Sequence, residues 1–233
     1  RRSIRLKGYD YAQKGLYFVT IVTQDRRRLF GTIKEGIMYL NAFGIIIFEE
    51  WEKTMEIRPN CSLGAFVVMP DHFHAILSID YSKNKKSDHN KAFKASFKSP
   101  SQTLGAIIRG FKGACSKRIK ILIKEIEGGK EKGINDGGNP KINVTGVLQY
   151  APSNDHYSPS DDHYLSSDNL YSFNEISILP YHLIKRIDHS KSIWQRNYWE
   201  HIIRDQQSFK NISNYIINNP KKWELDKLNN RKK

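Results

Sequence analysis

The sequence has few cysteines and no long apolar run. Cys61 and Cys115 are its only cysteines, and no CxxC pair occurs, which argues against a disulfide scaffold and a zinc–cysteine site. No stretch of eighteen or so apolar residues occurs, so we predict no membrane-spanning helix. Mean hydropathy is −0.61, yet 39% of the 233 residues are hydrophobic. The composition therefore indicates a core with extensive polar loops.

Acidic residues are also scarce relative to basic ones. Lys and Arg total 38 against 24 Asp and Glu, which gives a net charge of +14 and a pI near 9.6. Such an excess attracts polyanions and favours nucleic acid as the partner, although a solvated basic surface without a partner is the alternative. The basic residues are spread along the chain, which disfavours a membrane partner. We expect a cytoplasmic protein of bacterial type, associated with the nucleoid.

Four segments rich in apolar and β-branched residues predict strands. They span residues 16–23, 63–69, 72–80 and 193–203. Pro70-Asp71 is a turn between the second and third strands, so these two should form a hairpin.

Three helices are predicted from caps and helical spacing. They run from Asn41 to about Met55, from Gln102 to about Glu125, and from Asp205 to Asn219, where Pro220 stops the helix. The order of elements predicts a ferredoxin-like α+β fold. In this fold an antiparallel sheet carries helices on one face, and a C-terminal helix is added.

Two polar segments interrupt this pattern. Residues 81–100 are rich in Lys, Ser and Asn and predict a flexible loop. Residues 127–173 are rich in Gly, Asn, Ser and Asp and predict a low-complexity, partly disordered insertion. We otherwise expect a single domain over residues 1–233.

His72 and His74 lie two residues apart on the third predicted strand. Side chains at this spacing point to the same face, so the two imidazoles can hold one metal ion. Together with oxygen ligands they suit magnesium, manganese or zinc, and the spacing does not choose. A pair of ordinary surface histidines gives the same pattern.

Tyr215 and Asn219 lie four residues apart on the last predicted helix and should share a face. A tyrosine hydroxyl can attack phosphorus and become a covalent ester, and an amide oxygen can bind a metal. On these residues alone, core packing of Tyr215 and a helix end at Asn219 are the simpler explanation.

A resemblance to a known family changes that balance. Residues 67–77, VVMPDHFHAIL, resemble the HUH strand of insertion-sequence single-tyrosine transposases, most closely that of the REP-associated tyrosine transposases. Further similar segments follow the family's order at residues 5–11 with 17–20, at residues 104–112, and at residues 194–204 followed by 215–220. The insertion over residues 127–173 is longer than we expect of this family, which puts the activity of this copy in question.

The resemblance implies an HUH nuclease and strand transferase that acts on single-stranded DNA beside hairpins such as REP elements. It implies that His72, His74 and Asn219 hold a divalent metal, Mg²⁺ or Mn²⁺. Tyr215 would be the nucleophile that forms a 5′-phosphotyrosine. Tyr198 and His201 are expected to support the site without being catalytic.

Six basic residues are candidates for contacts to DNA phosphates. They are Arg26, Arg27, Arg28, Arg109, Lys112 and Lys117. The expected partner is single-stranded DNA with a hairpin, and the chain is expected to be a monomer or a homodimer.

Three other functions are compatible with parts of the sequence. A hairpin-DNA-binding protein without catalytic turnover would keep the charge and the fold. A metal hydrolase that does not act on nucleic acid fits His72 and His74, but not the charge or the Tyr215 helix. An RNA-binding protein of similar topology is disfavoured because histidines stand where such sheets expose stacking aromatics.

Overall fold

The structure is a computed structural model that describes six parts of the chain. These are residue 9 and residues 13–80, 103–131, 147–150, 173–174 and 191–223. The predicted loop over residues 81–100 and most of the predicted insertion over residues 127–173 lie outside the described residues.

The described residues form eight strands, four α-helices and one 3₁₀ turn. The strands are β1 (Gly15–Val22), β2 (Gly31–Lys34), β3 (Ile37–Leu40), β4 (Cys61–Val68), β5 (His72–Ile79), β6 (Val147–Tyr150), β7 (Phe173–Asn174) and β8 (Trp199–Ile203). The helices are α1 (Ala42–Ile57), α2 (Leu104–Glu131), α3 (Gln206–Ile217) and the short α4 (Asn219–Lys222), with a 3₁₀ turn at Gln24–Arg26.

The main sheet has the strand order β4-β5-β1-β8, and every neighbouring pair is antiparallel. β4 and β5 form the predicted hairpin. The register sets Val22 opposite His72 and Thr20 opposite His74. The predicted α+β class with an antiparallel sheet is therefore confirmed, and β5 lies in the middle of the sheet.

Helices α1 and α2 cover one face of the main sheet. Alternate residues of β1 and β5 are buried against them: Tyr17, Val19, Ile21, Phe73, Ala75, Leu77 and Ile79. The ring of Trp51 lies 5.0 Å from Phe73 and 5.1 Å from Phe111, between centroids. Burying each such side chain contributes about 1.5–3 kcal/mol. This core holds β5 in position, and it thereby also positions His72 and His74, which alternate with the core residues and lie on the other face of the sheet.

Helix α3 lies on the opposite face. A second, smaller apolar cluster joins it to the sheet and consists of Val67, Met69, Ile76, Ile203, Phe209, Ile216 and Trp223. The sheet is thus covered by helices on both sides. His72 and His74 alternate with the residues of the larger core and lie on the α3 side.

The predicted helix starts are confirmed by their caps. The side chain of Asn41 accepts hydrogen bonds from the backbone amides of Phe43 and Gly44, each at 3.0 Å. The carboxylate of Asp205 accepts from the backbone amide of Ser208 at 2.7 Å. These bonds satisfy amides that a helix start leaves without partners.

A second sheet, with the order β2-β3-β6-β7, was not predicted. Its first two strands are only four residues long and are joined by Glu35 and Gly36, which both adopt positive φ, at 52° and 74°. Gly36 is pressed against α4, because a Cβ at this position would lie 3.2 Å from the Cα of Lys221. The hairpin therefore supports the helix that begins at Asn219. Strands β6 and β7 come from the predicted insertion.

Three predicted boundaries were wrong. α2 continues to Glu131, into the predicted insertion. The fourth strand of the main sheet begins at Trp199 rather than Ile193; Ile193 and Trp194 are buried instead, and Trp194 forms an isolated bridge with Thr23. The last predicted helix is interrupted after Ile217.

Both cysteines are free and buried. None of the helices in the described residues combines the length and the apolar content that a membrane crossing needs.

Candidate functional site

His72 and His74 are neighbours on the α3 face of the sheet. Their ring centroids lie 4.5 Å apart, and both side chains are almost completely buried. Because both side chains are buried, they are not the pair of ordinary surface histidines that the sequence pattern also allowed. Two adjacent buried imidazoles need defined partners.

His72 has one such partner in Asp71. Its Nδ1 lies 2.6 Å from Oδ1 of Asp71, and the second carboxylate oxygen lies 3.6 Å from the guanidinium of Arg26. Because a carboxylate accepts, Nδ1 carries the proton and donates, so in the neutral ring it is Nε2 that keeps the lone pair. That Nε2 is buried and has no hydrogen-bond partner among the described residues. A carboxylate behind a histidine is the usual support of a metal ligand.

His74 is held by Thr20 and Phe18. Its Nδ1 lies 2.8 Å from the hydroxyl oxygen of Thr20, and its ring stacks on Phe18 with centroids 5.4 Å apart. Burial, followed by the nearby His72, lowers the pKa of His74 well below 6.5. The ring is therefore neutral near pH 7 and retains a nitrogen lone pair.

Tyr215 approaches His74 from α3. Its hydroxyl lies 3.4 Å from Nε2 of His74, and its ring meets His74 and Phe18 edge-on, with centroids 5.3 and 6.2 Å away. The side chain is 41% exposed. Tyr215 is therefore not a core residue, and its hydroxyl lies beside the histidine pair on a side chain that is partly open to solvent.

Asn219 starts a separate short helix, contrary to the prediction of one helix that ends there. Asn218 breaks α3, and Pro220 occupies the first turn of α4. Proline is accepted at this position because its missing N–H would have no helical partner anyway. Pro220 thus begins a helical turn rather than ending one.

The side chain of Asn219 is buried, and its Oδ1 has no hydrogen-bond partner in the described parts of the chain. One helical turn later, Trp223 lies with its ring centroid 5.8 Å from that of His72. Residues four apart on a helix share a face, so Asn219 lies on the side of α4 that carries Trp223.

These donors fit the requirements of a divalent metal. Nε2 of His72 and Oδ1 of Asn219 are buried and have no hydrogen-bond partner among the residues that the structure describes, and a neutral His74 supplies a second imidazole. A set of two imidazoles and one amide oxygen suits several divalent ions. Among the described residues no group of three or more His, Cys, Asp or Glu side chains has metal-binding geometry, so a site at this place must include the amide or an outside ligand.

The three consecutive arginines make contacts around the site. Arg26 pairs with Asp71. Arg27 donates to the carbonyl oxygens of Gln24 and Ser192 at 3.1 and 2.7 Å. The guanidinium of Arg28 lies 5.7 Å from the ring centroid of Trp223. All three therefore support the loops beside the histidines, and their contact with DNA stays a prediction.

The three candidates on α2 are placed differently. Lys112 donates to the carbonyl oxygens of Gln195 and Arg196 at 2.6 and 3.1 Å, and burial lowers its pKa to about 8. Its ammonium group thus holds the segment before β8. Arg109 and Lys117 are exposed on a helix that covers the sheet face opposite to the histidines.

Sequence reasoning missed the residues that orient the two histidines. Thr20 and Phe18 lie on β1, where they alternate with buried core residues. That they share a sheet face with His74 becomes clear only when the register between β1 and β5 is known. The sequence predicts Asp71 only as part of a turn.

The two predicted supporting residues lie on or just before β8. Tyr198 is half-buried against the larger core, and the exposed His201, on β8, lies opposite Phe18 of β1.

Comparisons with known proteins identify one close relative. The chain is 31% identical over 231 residues to an uncharacterised protein of Haemophilus influenzae, covering 98% of this chain and 92% of that protein. No protein-family model matches the chain.

Two solved structures are similar at low identity. One is a REP-associated tyrosine transposase bound to a REP hairpin, with 16% identity, a TM-score of 0.43, and coverage of 96% of this chain and 77% of that one. The other is a candidate transposase of Deinococcus radiodurans, with 14% identity, a TM-score of 0.34, and coverage of 92% and 95%. The chain belongs to the same family as the Haemophilus influenzae protein, and its motifs resemble those of the REP-associated tyrosine transposases.

Proposed function

We propose that this chain is a metal-dependent transposase of the HUH single-tyrosine class, which cuts and rejoins single-stranded DNA beside hairpins. The main sheet, with the order β4-β5-β1-β8, serves as its ferredoxin-like scaffold. The observation that carries the proposal is the meeting of three separate elements. The hydroxyl of Tyr215, on α3, lies 3.4 Å from His74, on β5. The neighbouring His72 lies 5.8 Å, between ring centroids, from Trp223, which follows Asn219 by one helical turn.

Neighbouring residues orient the side chains that would bind the metal. Asp71 holds His72 with its proton on Nδ1, so Nε2 of that ring is available to a ligand. His74, whose Nδ1 contacts Thr20, would bind a metal through Nε2 once the hydroxyl of Tyr215 gives up its contact with that nitrogen. Asn219 supplies an amide oxygen that has no hydrogen-bond partner within the described part of the chain. A divalent ion, Mg²⁺ or Mn²⁺, when bound to these residues, polarises the scissile phosphate as a Lewis acid.

Tyr215 is the proposed nucleophile. Its hydroxyl oxygen forms a bond to phosphorus while the bond from phosphorus to the 3′ oxygen breaks. The tyrosine loses its proton, and the departing 3′ oxygen gains one, which leaves a 5′-phosphotyrosine and a free 3′-hydroxyl. Attack by a 3′-hydroxyl reverses the step and joins strands. One phosphodiester replaces another, so the exchange needs no ATP.

The proton of Tyr215 is the energetic obstacle. An ordinary tyrosine has a pKa of about 10, so its hydroxyl is protonated at neutral pH. Because His74 is itself a proposed metal ligand, the proton of Tyr215 leaves to water, which the 41% exposure of the side chain allows. A buried core tyrosine would lack this route.

Charge supports DNA as the substrate. The net charge of +14 favours a polyanion, and the arginines at positions 26–28 lie around the histidine site. Arg109 and Lys117, exposed on α2, would reach phosphates only on the other side of the sheet.

The proposal is tested by covalent capture. The protein is incubated with labelled hairpin DNA from its own genome and Mn²⁺ or Mg²⁺, then separated on a denaturing gel. We expect a labelled protein band that requires the metal and disappears in Tyr215→Phe. Tyr39→Phe, which removes a hydroxyl on β3 outside the site, is the matched control and should keep the band. Tight binding of hairpins without any band would assign the chain to hairpin binding without cleavage.

A further inference from the structure

β8 carries an exposed tryptophan. Within the described residues β8 pairs only with β1, so it forms one edge of the main sheet. Trp199, its first residue, is 52% exposed, whereas the other three tryptophans of the chain, Trp51, Trp194 and Trp223, are buried. A large ring left half in solvent on a sheet edge loses favourable burial, which calls for an explanation.

The register places Trp199 on the face of the proposed active site. Thr20 lies opposite both His74, on one side, and Trp199, on the other. Directly opposed residues in antiparallel strands project to the same face, with Cβ atoms about 4.5–5.5 Å apart. Because Thr20 contacts His74 at 2.8 Å, Trp199 stands two strands away from the histidine pair on the same surface.

The backbone of this edge is held in place before any ligand arrives. Trp194, five residues earlier, is buried and bridges to Thr23. Lys112 from α2 binds the carbonyl oxygens of Gln195 and Arg196. A ring carried on a fixed strand loses little conformational freedom when a partner stacks on it.

The charges beside Trp199 suit a nucleic-acid strand. Arg196 and Arg204 are both exposed, one before β8 and one after it, and His201 is exposed on the same face as Trp199. The carboxylate nearest along the chain is that of Glu200, which lies opposite Val19 and so alternates onto the other face of β8. The carboxylate of Asp205, after β8, caps α3. Cations that flank an exposed aromatic ring are the combination used to bind single strands.

We infer that Trp199 is a stacking platform for an unpaired base of the DNA strand, close to the phosphate that Tyr215 attacks. The inference rests on the proposed function and adds a subsite to it. Stacking tolerates any base, so the platform positions the strand without reading its sequence. Trp199 is a binding residue and takes no part in the chemistry.

Intrinsic fluorescence gives a direct first test. Because Trp199 is the one exposed tryptophan of the four, oligo(dT) should quench the protein's emission mainly through this ring. Trp199→Phe should abolish most of the DNA-dependent change while the DNA still binds, as measured by the anisotropy of a labelled strand. An undiminished change in Trp199→Phe would overturn the inference.

A comparison of two DNA hairpins with variants of Trp199 shows which part of the DNA contacts this ring. The probes are a fluorescein-labelled DNA hairpin with an unpaired 5′ flank of about 8 nucleotides, long enough to cross a single-strand site of ordinary size, and the same hairpin without the flank. All proteins carry Tyr215→Phe so that no cleavage occurs. Trp199→Ala should weaken binding of the flanked hairpin by about 5- to 150-fold and leave the blunt hairpin unaffected. Trp199→Phe should restore most of the affinity.

Abasic sites introduced one at a time into the flank should reveal one position whose base matters in the parent protein and no longer matters in Trp199→Ala. Ile57→Ala, which truncates an exposed apolar residue at the end of α1, is the control and should change nothing.

The outcomes separate this inference from the proposed function. Equal affinity of Trp199→Ala and its parent for the flanked hairpin would overturn the stacking subsite, whatever the covalent-capture experiment gives. A change in sedimentation of Trp199→Ala without a change in DNA affinity would also overturn it and would assign the ring to contact with a second copy. Conversely, flank-dependent binding that needs Trp199, in a protein that never forms an adduct, would retain the subsite and reject the nuclease.

Discussion

At the residue scale, two side chains orient the histidine pair. Asp71 and Thr20 each contact Nδ1 of one histidine, at 2.6 and 2.8 Å. An imidazole has two nitrogens, and the partner of one decides which nitrogen keeps a lone pair. The orientation of both rings, and the nitrogen of each that keeps a lone pair, therefore depend on Asp71 and Thr20.

The first prediction concerns Asp71. Asp71→Ala should weaken the binding of Mn²⁺ by about 10- to 100-fold, because loss of a carboxylate behind a ligating histidine frees the ring to turn or change tautomer. Asp71→Asn keeps an acceptor oxygen and should lose less. Mn²⁺ binding followed by electron paramagnetic resonance measures both.

Imidazole nitrogen NMR of the metal-free proteins provides the control. His72 should carry its proton on Nδ1 in the parent protein and become a mixture of tautomers in Asp71→Ala. An unchanged tautomer together with unchanged Mn²⁺ affinity would remove Asp71 from the site.

A second residue-scale prediction concerns Lys112. Burial lowers its pKa to about 8 from 10.5, so its signal in lysine side-chain NMR should titrate near pH 8, with Lys112→Met used for assignment. Between the two pKa values the unfolded chain binds more protons than the folded one, so this group makes stability rise with pH over that window. Titration near pH 10 would show that the amine is solvated instead.

At the element scale, the break between α3 and α4 decides where Asn219 lies. A single helix through Pro220 would lose a backbone hydrogen bond. Instead the chain restarts at Asn219, with Lys221 packed against the turn at Gly36. The unpredicted β2–β3 hairpin thus supports the part of the chain that supplies the proposed third ligand.

The prediction at this scale separates stability from activity. Asn219→Ala should change the free energy of unfolding by less than about 1 kcal/mol, because the buried amide oxygen has no partner in the described residues whose bond would be lost. Adduct formation and Mn²⁺ affinity should nevertheless fall sharply. Urea denaturation gives the stability of each variant.

Asn41→Ala is the matched control. It removes a cap that accepts two backbone hydrogen bonds and should cost about 1 kcal/mol without affecting metal affinity. If Asn219→Ala destabilised the protein strongly and left Mn²⁺ binding intact, Asn219 would be structural.

The elements also show what sequence can and cannot predict here. The shared face of His72 and His74, the hairpin that carries them and the caps at Asn41 and Asp205 follow from local rules of spacing and hydrogen bonding. The contact of Thr20 with His74 depends on strand register, which joins residues 54 positions apart. The hairpin at Glu35-Gly36 was missed because each strand has only four residues, too few for a clear alternation. Pro220 was misjudged because proline both ends helices and begins them.

At the scale of the whole molecule, charge and sheet layering divide the protein into two sides. The α3 face carries the histidines, Tyr215 and Trp199. The other face is covered by α2, whose exposed residues include Arg109, Lys117, Lys120 and Lys124. A single-stranded segment on the first side and a duplex stem on the second would use both surfaces.

This arrangement predicts the salt dependence of hairpin binding. Each phosphate contact contributes about 0.9 to the slope of log affinity against log salt on duplex DNA. Arg109→Ala combined with Lys117→Ala should therefore reduce the slope by about 1–2 for a blunt hairpin and leave an unpaired strand unaffected. Filter binding across a salt series measures it, and an unchanged slope would remove both residues from the DNA surface.

The central claim is that the oxygen of Tyr215 becomes joined to DNA phosphorus. Mass spectrometry of the trypsin-digested and nuclease-trimmed adduct tests it most directly, because cleavage after Lys210 and Lys221 gives a peptide of residues 211–221 in which Tyr215 is the only tyrosine. The account predicts a nucleotide attached to this peptide at Tyr215 whenever a divalent metal is present, and none in its absence. A nucleotide on another peptide, or no modified peptide with a hairpin that the protein binds tightly, would contradict it.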